Sequence, residues 1–315
     1  MMVNTEGRER IQVTIQPSKK EPPLRNTEYY LFAEEHYALQ KAEKSLSKMI
    51  GVTQVKEFIR EMYALVYVNQ CRGKLNLEAA QQNLHMMFIG NPGTGKTTVA
   101  RILAQMLKDM NILEKGHFIE AERADLVGEY IGQTAQKTRD LIKKASGGVL
   151  FIDEAYSLAR GGEKDFGREA VDALVKAMED HQHTFILILA GYPAEMKKFL
   201  RLNPGLPSRF PNILHFQDFT NEQLLDLFKR MVKERDYECT DQLTKKVAAH
   251  FQVRTLENTK SFNGRYVRNM IEKIIRRQAL RLLKEGKIDK QSLVTLEAGD
   301  FVEEEQRENH KGGSL

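Results

Sequence analysis

The chain has 315 residues, of which 41% are hydrophobic and 29% charged, and a formal net charge of +5. Usage this ordinary excludes a fibrous repeat and wholesale disorder, and the length holds one large or two modest domains. Positive and negative residues are interspersed along the chain, so the surplus charge reads as a solvated surface, and a nucleic-acid partner is not expected.

Residues 1 to about 26 are polar and broken by Pro17, Pro22 and Pro23, the pattern of a solvated tail. No apolar core follows "MMVNTEGRERIQ", so no leader peptide is expected. A helix is expected through "FAEEHYALQKAEKSLSKM". Beyond it "HMMFIG" (85–90), "HFIEA" (117–121), "GVLFID" (148–153), "FILILAG" (185–191) and "ILHF" (213–216) are brief, apolar and partly β-branched, as buried strands are. The stretches between them have helical period, with Val99, Ile102, Leu103, Met106, Leu107 and Met110 on one face. Strands alternating with helices imply an α/β fold, a parallel sheet sandwiched by helices. The longest apolar runs fall well short of the roughly 18 to 20 residues that cross a bilayer, so no membrane span is expected.

After residue 219 the strand signals stop. "TNEQLLDLFKRM" opens with Thr220 and Gln223 at capping-box spacing and continues through Leu224, Leu227, Phe228 and Met231. "RYVRNMIEKIIRRQALRLLKEG" sets Val267, Met270, Ile271 and Ile274 on one stripe and stops at Gly286. A small all-helical domain is the expectation. The expected division is a polar tail and helix over 1–40, the α/β domain over 41–218, the helical domain over 219–300 and a polar tail over 301–315.

The chemistry concentrates in "GNPGTGKTT", Gly90 to Thr98, which satisfies the phosphate-loop pattern G-x-x-x-x-G-K-[ST] between a strand and a helix. Flexible glycines let the backbone N–H groups of Asn91, Pro92's neighbour Gly93, Thr94, Gly95 and Lys96 converge on a polyphosphate. The helix start at Thr97 and Thr98 adds positive potential. Lys96 would reach the β and γ phosphates of ATP and Thr97 would ligate Mg²⁺. Downstream, "VLFIDE" carries Asp153 to the end of an apolar strand, where it fits the metal-side carboxylate, and Glu154 fits the base that polarises water. Glu154 favours hydrolysis over nucleotide binding alone.

With "HFIEAERADLVGEYIGQTAQKTRDLIKKA", "GVLFIDEAYSLARGGEKDFG" and "LNPGLPSRFP", these motifs make the chain resemble the AAA+ ATPases, and within them the CbxX/CfxQ group, over about residues 35 to 300. The group includes sporulation proteins and red-type rubisco activases, and overall resemblance leans to the sporulation side. The resemblance implies an ATP-hydrolysing ring, a homo-hexamer, that remodels or threads a protein substrate in the cytoplasm; a nucleic-acid-directed AAA+ motor, which uses the same ATPase core, is the alternative. It implies a helical lid behind the α/β domain. "MIGVTQVKEFI" looks like the segment that packs on adenine, which points to Ile50, Gly51 and Val52. "GLPSRFP" matches the arginine finger, Arg209, aimed at a neighbouring subunit's γ-phosphate. "FNGRYVRN" resembles the second sensor, with Arg265 preferred and Arg268 the alternative. Tyr130, Ile131 and Gly132 match an aromatic-hydrophobic-Gly triplet that faces the central pore, although periodicity alone would put Tyr130 in the core. The fourth strand departs from the pattern: where relatives carry a polar first sensor, this chain has Gly191 and Tyr192.

Other features read plainly. His181 and His183 are two apart and do not share a helix face, so no metal site is expected there. "ARGGEKDFG" reads as a flexible loop. Cys71 and Cys239 offer neither a disulfide framework nor metal-ligand spacing, which fits a reducing compartment.

Overall fold

A computed structural model describes residues 36–78, 82–130, 132–160, 166–180, 184–202, 205–256, 262–286 and 288–302. Residues 1–35 and 303–315, His181 and His183, and most of "ARGGEKDFG" lie outside the described residues, while Phe301, at the start of the expected C-terminal tail, is buried in the lid core. Two compact units divide the chain, Met1–Tyr37 and Ala38–Leu315. Among the described residues, the second unit holds every strand.

Helices α1 (Tyr37–Leu46) and α2 (Thr53–Lys74) precede the sheet. Strand β1 (Met86–Gly90) leads into α3 (Lys96–Asp109), then β2 (Phe118–Ala121), α4 (Arg123–Leu126), α5 (Gln133–Ala145) and β3 (Val149–Ile152). A 3₁₀ turn at Ala155–Ala159 joins β3 to α6 (Gly167–Asp180), followed by β4 (Ile186–Gly191), α7 (Pro193–Leu202), α8 (Leu206–Arg209) and β5 (Asn212–Phe216). The five strands form one parallel sheet in the order β2-β3-β4-β1-β5. The inner strands β3 and β4 are buried at every position, while the edge strand β2 is buried only at its last residue and the edge strand β5 alternates. A strand covered on both faces has no polar side to show, and for that reason its sequence is a continuous apolar run. Leu150, Ile152, Leu187 and Leu189 share a core with Ile142, Leu174 and Phe199 from the covering helices.

The order of strands places the site. β1 lies between β4 and β5, and β3 lies on the far side of β4, so the loops after β1, β3 and β4 open side by side at the carboxyl edge, where ligands bind in open α/β sheets.

The chain then enters the helical lid: α9 (Asn221–Lys233), β6 (Glu238–Cys239), α10 (Asp241–Leu256), α11 (Gly264–Glu285), α12 (Lys290–Val294) and β7 (Thr295–Leu296). The Thr220 hydroxyl accepts from the Gln223 amide and the Gln223 side chain accepts from the Thr220 amide, the reciprocal cap read from the sequence. Leu224, Phe228, Phe251, Val267 and Ile271 form the lid's own core. The lid is helical with one addition, a parallel pairing of Glu238 with Thr295 and Cys239 with Leu296. Strands of two residues are too short to carry a periodicity, so no sequence signal announced them.

Candidate nucleotide site

The phosphate loop turns on Gly93 (φ +78) and Gly95 (φ +99), in the left-handed region that side chains disfavour. It closes over Lys96, which is 7% exposed and donates to the carbonyls of Gly90 at 2.7 Å and Asn91 at 2.9 Å. Burial lowers the Lys96 pKa from its ordinary value, opposed by the Asp153 carboxylate and seconded by the Arg265 guanidinium. A desolvated cation at a helix N-terminus, inside a turn of backbone amides, is a receptor for a polyanion.

A cavity of about 470 Å³ opens on this loop. Pro92, Gly93, Thr94, Gly95, Lys96, Thr97 and Thr98 line one wall, and Asp153 and Tyr192 stand opposite. Asn91 is set beside it, donating to both oxygens of Asp218 at 2.9 and 2.8 Å. Asp153 follows the last residue of β3 and accepts from the Glu154 amide at 2.9 Å. Glu154 takes left-handed φ +46, which turns its carboxylate towards Tyr192 and Arg160. The residues present fit Mg²⁺-ATP: the Thr97 hydroxyl and Asp153 carboxylate are hard oxygen donors beside a buried lysine, and Mg²⁺ completes such a partial set with phosphate oxygens and water.

The lid closes the cavity. The Gly264 amide donates to the Gly93 carbonyl at 3.0 Å, so helix α11 begins against the phosphate loop. Asn263 caps this junction: it accepts from the Phe219 amide at 3.1 Å and donates to Asp218 at 2.6 Å. Arg265 and Arg268, one turn into α11, both line the cavity, and Arg265 also lines a second cavity reaching Glu154. Of the residues expected beside adenine, Ile50 lines the cavity, whereas Gly51 packs on the Phe219 ring and Val52 is buried.

Arg209 is not brought to the phosphate loop of its own chain. It ends α8, where its guanidinium pairs with Glu179 and donates to the Gly205 carbonyl at 2.8 Å. Tyr130 stands in the loop between α4 and α5 and is 68% exposed, which removes the core reading that periodicity alone favoured. Gly132 (φ +82) caps α5, and Ile131 lies outside the described residues.

The family model for ATPases associated with various cellular activities (AAA) matches residues 86–218, and the AAA lid domain matches 220–311. Stage V sporulation protein K of Bacillus subtilis is 56% identical over 268 residues, covering 84% of this chain and 83% of that protein. The chain belongs to the AAA ATPases. A chloroplastic ribulose bisphosphate carboxylase/oxygenase activase of Cyanidioschyzon merolae is 44% identical over 258 residues, 81% of this chain and 88% of that one. The FIGL-1 AAA domain in complex with ADP superposes with a TM-score of 0.55 at 18% identity over 81% of each chain, which shows the shared fold.

The AAA cavity also has walls that sequence reasoning missed. Lys48 and Met49 line it before Ile50, and Leu227, Arg230 and Met231 of α9 with its C-cap Glu234 line it from the lid. The last four are spaced i, i+3, i+4, i+7, one helix face, and the apolar two, Leu227 and Met231, also belong to the hydrophobic stripe of the sequence. Among the described residues no helix is long and apolar enough to cross a membrane.

Proposed function

We propose that this AAA chain assembles into a cytoplasmic homo-hexameric ring that hydrolyses ATP with Mg²⁺ and uses each cycle to remodel or thread a protein, in sporulation. The observation that carries the reading is the convergence of buried Lys96, Asp153, Glu154 and the lid's Arg265 around neighbouring cavities. In this reading the loop amides and Lys96 hold the β and γ phosphates, and the N-terminus of α3 adds its dipole. Thr97 and Asp153 hold Mg²⁺, which supplies charge neutralisation on the phosphates. Glu154 takes the proton of the attacking water, and Arg265 reports the nucleotide to the lid. The adenine side is bounded by Ile50, with Gly51 and Val52 behind it.

Arg209 acts on the neighbouring subunit. Its distance from its own phosphate loop supports that assignment, since a finger that serves in trans has no cis task. Tyr130, with Ile131 and Gly132, grips a polypeptide in the central pore, which suits an exposed aromatic on a short loop between helices. The working division is 1–40, 41–218, 219–300 and 301–315. Identity to the sporulation protein, 56% against 44% for the rubisco activase, favours sporulation; activation of inhibited rubisco by the purified chain would replace that reading.

The test is a Glu154→Gln variant assayed for phosphate release and for retained nucleotide. Turnover should fall at least a hundredfold while ATP stays bound and the ring stays closed. Unchanged phosphate release would remove Glu154 from the mechanism.

A further inference from the structure

Strand β4 runs between β1 and β3, so the residue just past its end stands between the phosphate loop and the acidic end of β3. That residue is Tyr192. Its hydroxyl donates to Glu154 Oε1 at 2.9 Å, and its ring centroid lies 5.5 Å from Lys96 Nζ. The other carboxylate oxygen, Oε2, faces Arg160 at 3.8 Å, an exposed and therefore weak pairing. No polar side chain can do this from the preceding position, because a Cβ on Gly191 would lie 2.6 Å from Met196 Sδ and 2.9 Å from the Tyr156 ring. The Tyr192 ring is itself held by Tyr156, centroid to centroid 5.4 Å. Burial, then the hydrogen bond and charge of Glu154, push the Tyr192 phenol up from its ordinary value. Its proton therefore stays on the oxygen, and the bond keeps its direction across the neutral range.

We propose that Tyr192 is a positioning residue for ATP hydrolysis: its hydroxyl fixes one oxygen of the Glu154 carboxylate and so presents the other to the attacking water, while its ring ties that setting to Lys96. The inference rests on Glu154 being the base. It differs from a direct contact to the γ-phosphate, because Tyr192 acts through the glutamate. A hydrogen bond to a carboxylate is a strong one, and losing it should cost roughly ten- to a hundredfold in kcat.

Tyr192→Phe keeps both ring contacts and removes only the hydroxyl. The expected result is that loss in kcat with KM for ATP changed less than about threefold, since the ground-state site is intact. In a Glu154→Gln background, measured by slow single turnover, Tyr192→Phe should remove nothing further, because the two groups act as one. As a readout independent of turnover, 3-fluorotyrosine placed at position 192 should shift its fluorine resonance when Glu154→Gln replaces the carboxylate. An equal loss from Tyr192→Phe in the Glu154→Gln background, or a resonance that Glu154→Gln does not move, would overturn the inference alone. Normal hydrolysis by Glu154→Gln would overturn the base assignment and this inference with it.

Discussion

The contact between phosphate loop and lid makes Gly93→Ala the most quantitative perturbation of the site. Gly93 adopts φ +78, where an alanine costs about 1–2 kcal/mol. The new Cβ would lie 2.6 Å from the Arg265 backbone nitrogen and 3.2 Å from that of Gly264, so helix α11 must withdraw. Withdrawal breaks the 3.0 Å bond from the Gly264 amide to the Gly93 carbonyl, worth about 0.5–1.5 kcal/mol. The combined cost is roughly 1.5 to 3.5 kcal/mol, which for a chain of this size lowers Tm by roughly 2 to 5 °C. Gly286→Ala is the control, since Gly286 has φ +68 and nothing within 4 Å of its Cβ position. It should show the backbone strain without the clash, a loss nearer 1 kcal/mol. Differential scanning calorimetry of both variants, with titration by a fluorescent ATP analogue, reads the difference. Gly93→Ala should also bind the analogue at least tenfold more weakly, while Gly286→Ala should bind it normally. Equal Tm losses and equal affinities for the two variants would refute the packing of the lid helix on the loop.

Three further outcomes are expected. Because burial lowers the Lys96 pKa and only the ammonium form attracts phosphate, ATP affinity should be full near neutrality and fall as pH rises, with the fall beginning below the ordinary lysine value of 10.5; isothermal titration across pH 7 to 10.5 checks the sign. Arg209→Ala should lose about 10³-fold or more in ATP turnover with ATP binding nearly intact, as removal of a trans arginine does. Tyr130→Ala should spare ATP hydrolysis and Tm, because an exposed side chain leaves no cavity, and abolish remodelling; a loss of roughly 3 kcal/mol in stability would mark it instead as a packed residue.

The sheet and the phosphate loop were legible because each has a local signature. Buried parallel strands such as "FILILAG" are unbroken apolar runs, and "GNPGTGKTT" spells its own backbone requirement. What escaped depends on residues far apart in the chain. Asn91 meets Asp218 across 127 positions, Asp218 meets Asn263 across 45, and Tyr192 meets Glu154 across 38. No periodicity encodes such pairs; only the strand order brings them together. The α9 wall escaped for a different reason. An apolar stripe tells which face a helix buries, but Leu224 and Phe228 are buried in the lid core while Leu227 and Met231 pack against its edge and also line the cavity, and hydropathy does not separate protein from ligand as the covering partner. Tyr130 shows the limit of periodicity, which alone would bury it, whereas the short α4–α5 loop holds it in solvent.

The central claim, a ring whose catalytic sites are completed between subunits, is tested most directly by mixing two inactive variants, Arg209→Ala and Glu154→Gln. An Arg209→Ala subunit keeps Glu154, and a Glu154→Gln neighbour can lend it Arg209. In an equimolar random ring about one interface in four then carries both groups. The account predicts that phosphate release, near zero for each variant alone, recovers on co-assembly towards roughly a quarter of the unmodified rate. Mixed rings that form and remain as inactive as their parents would contradict it.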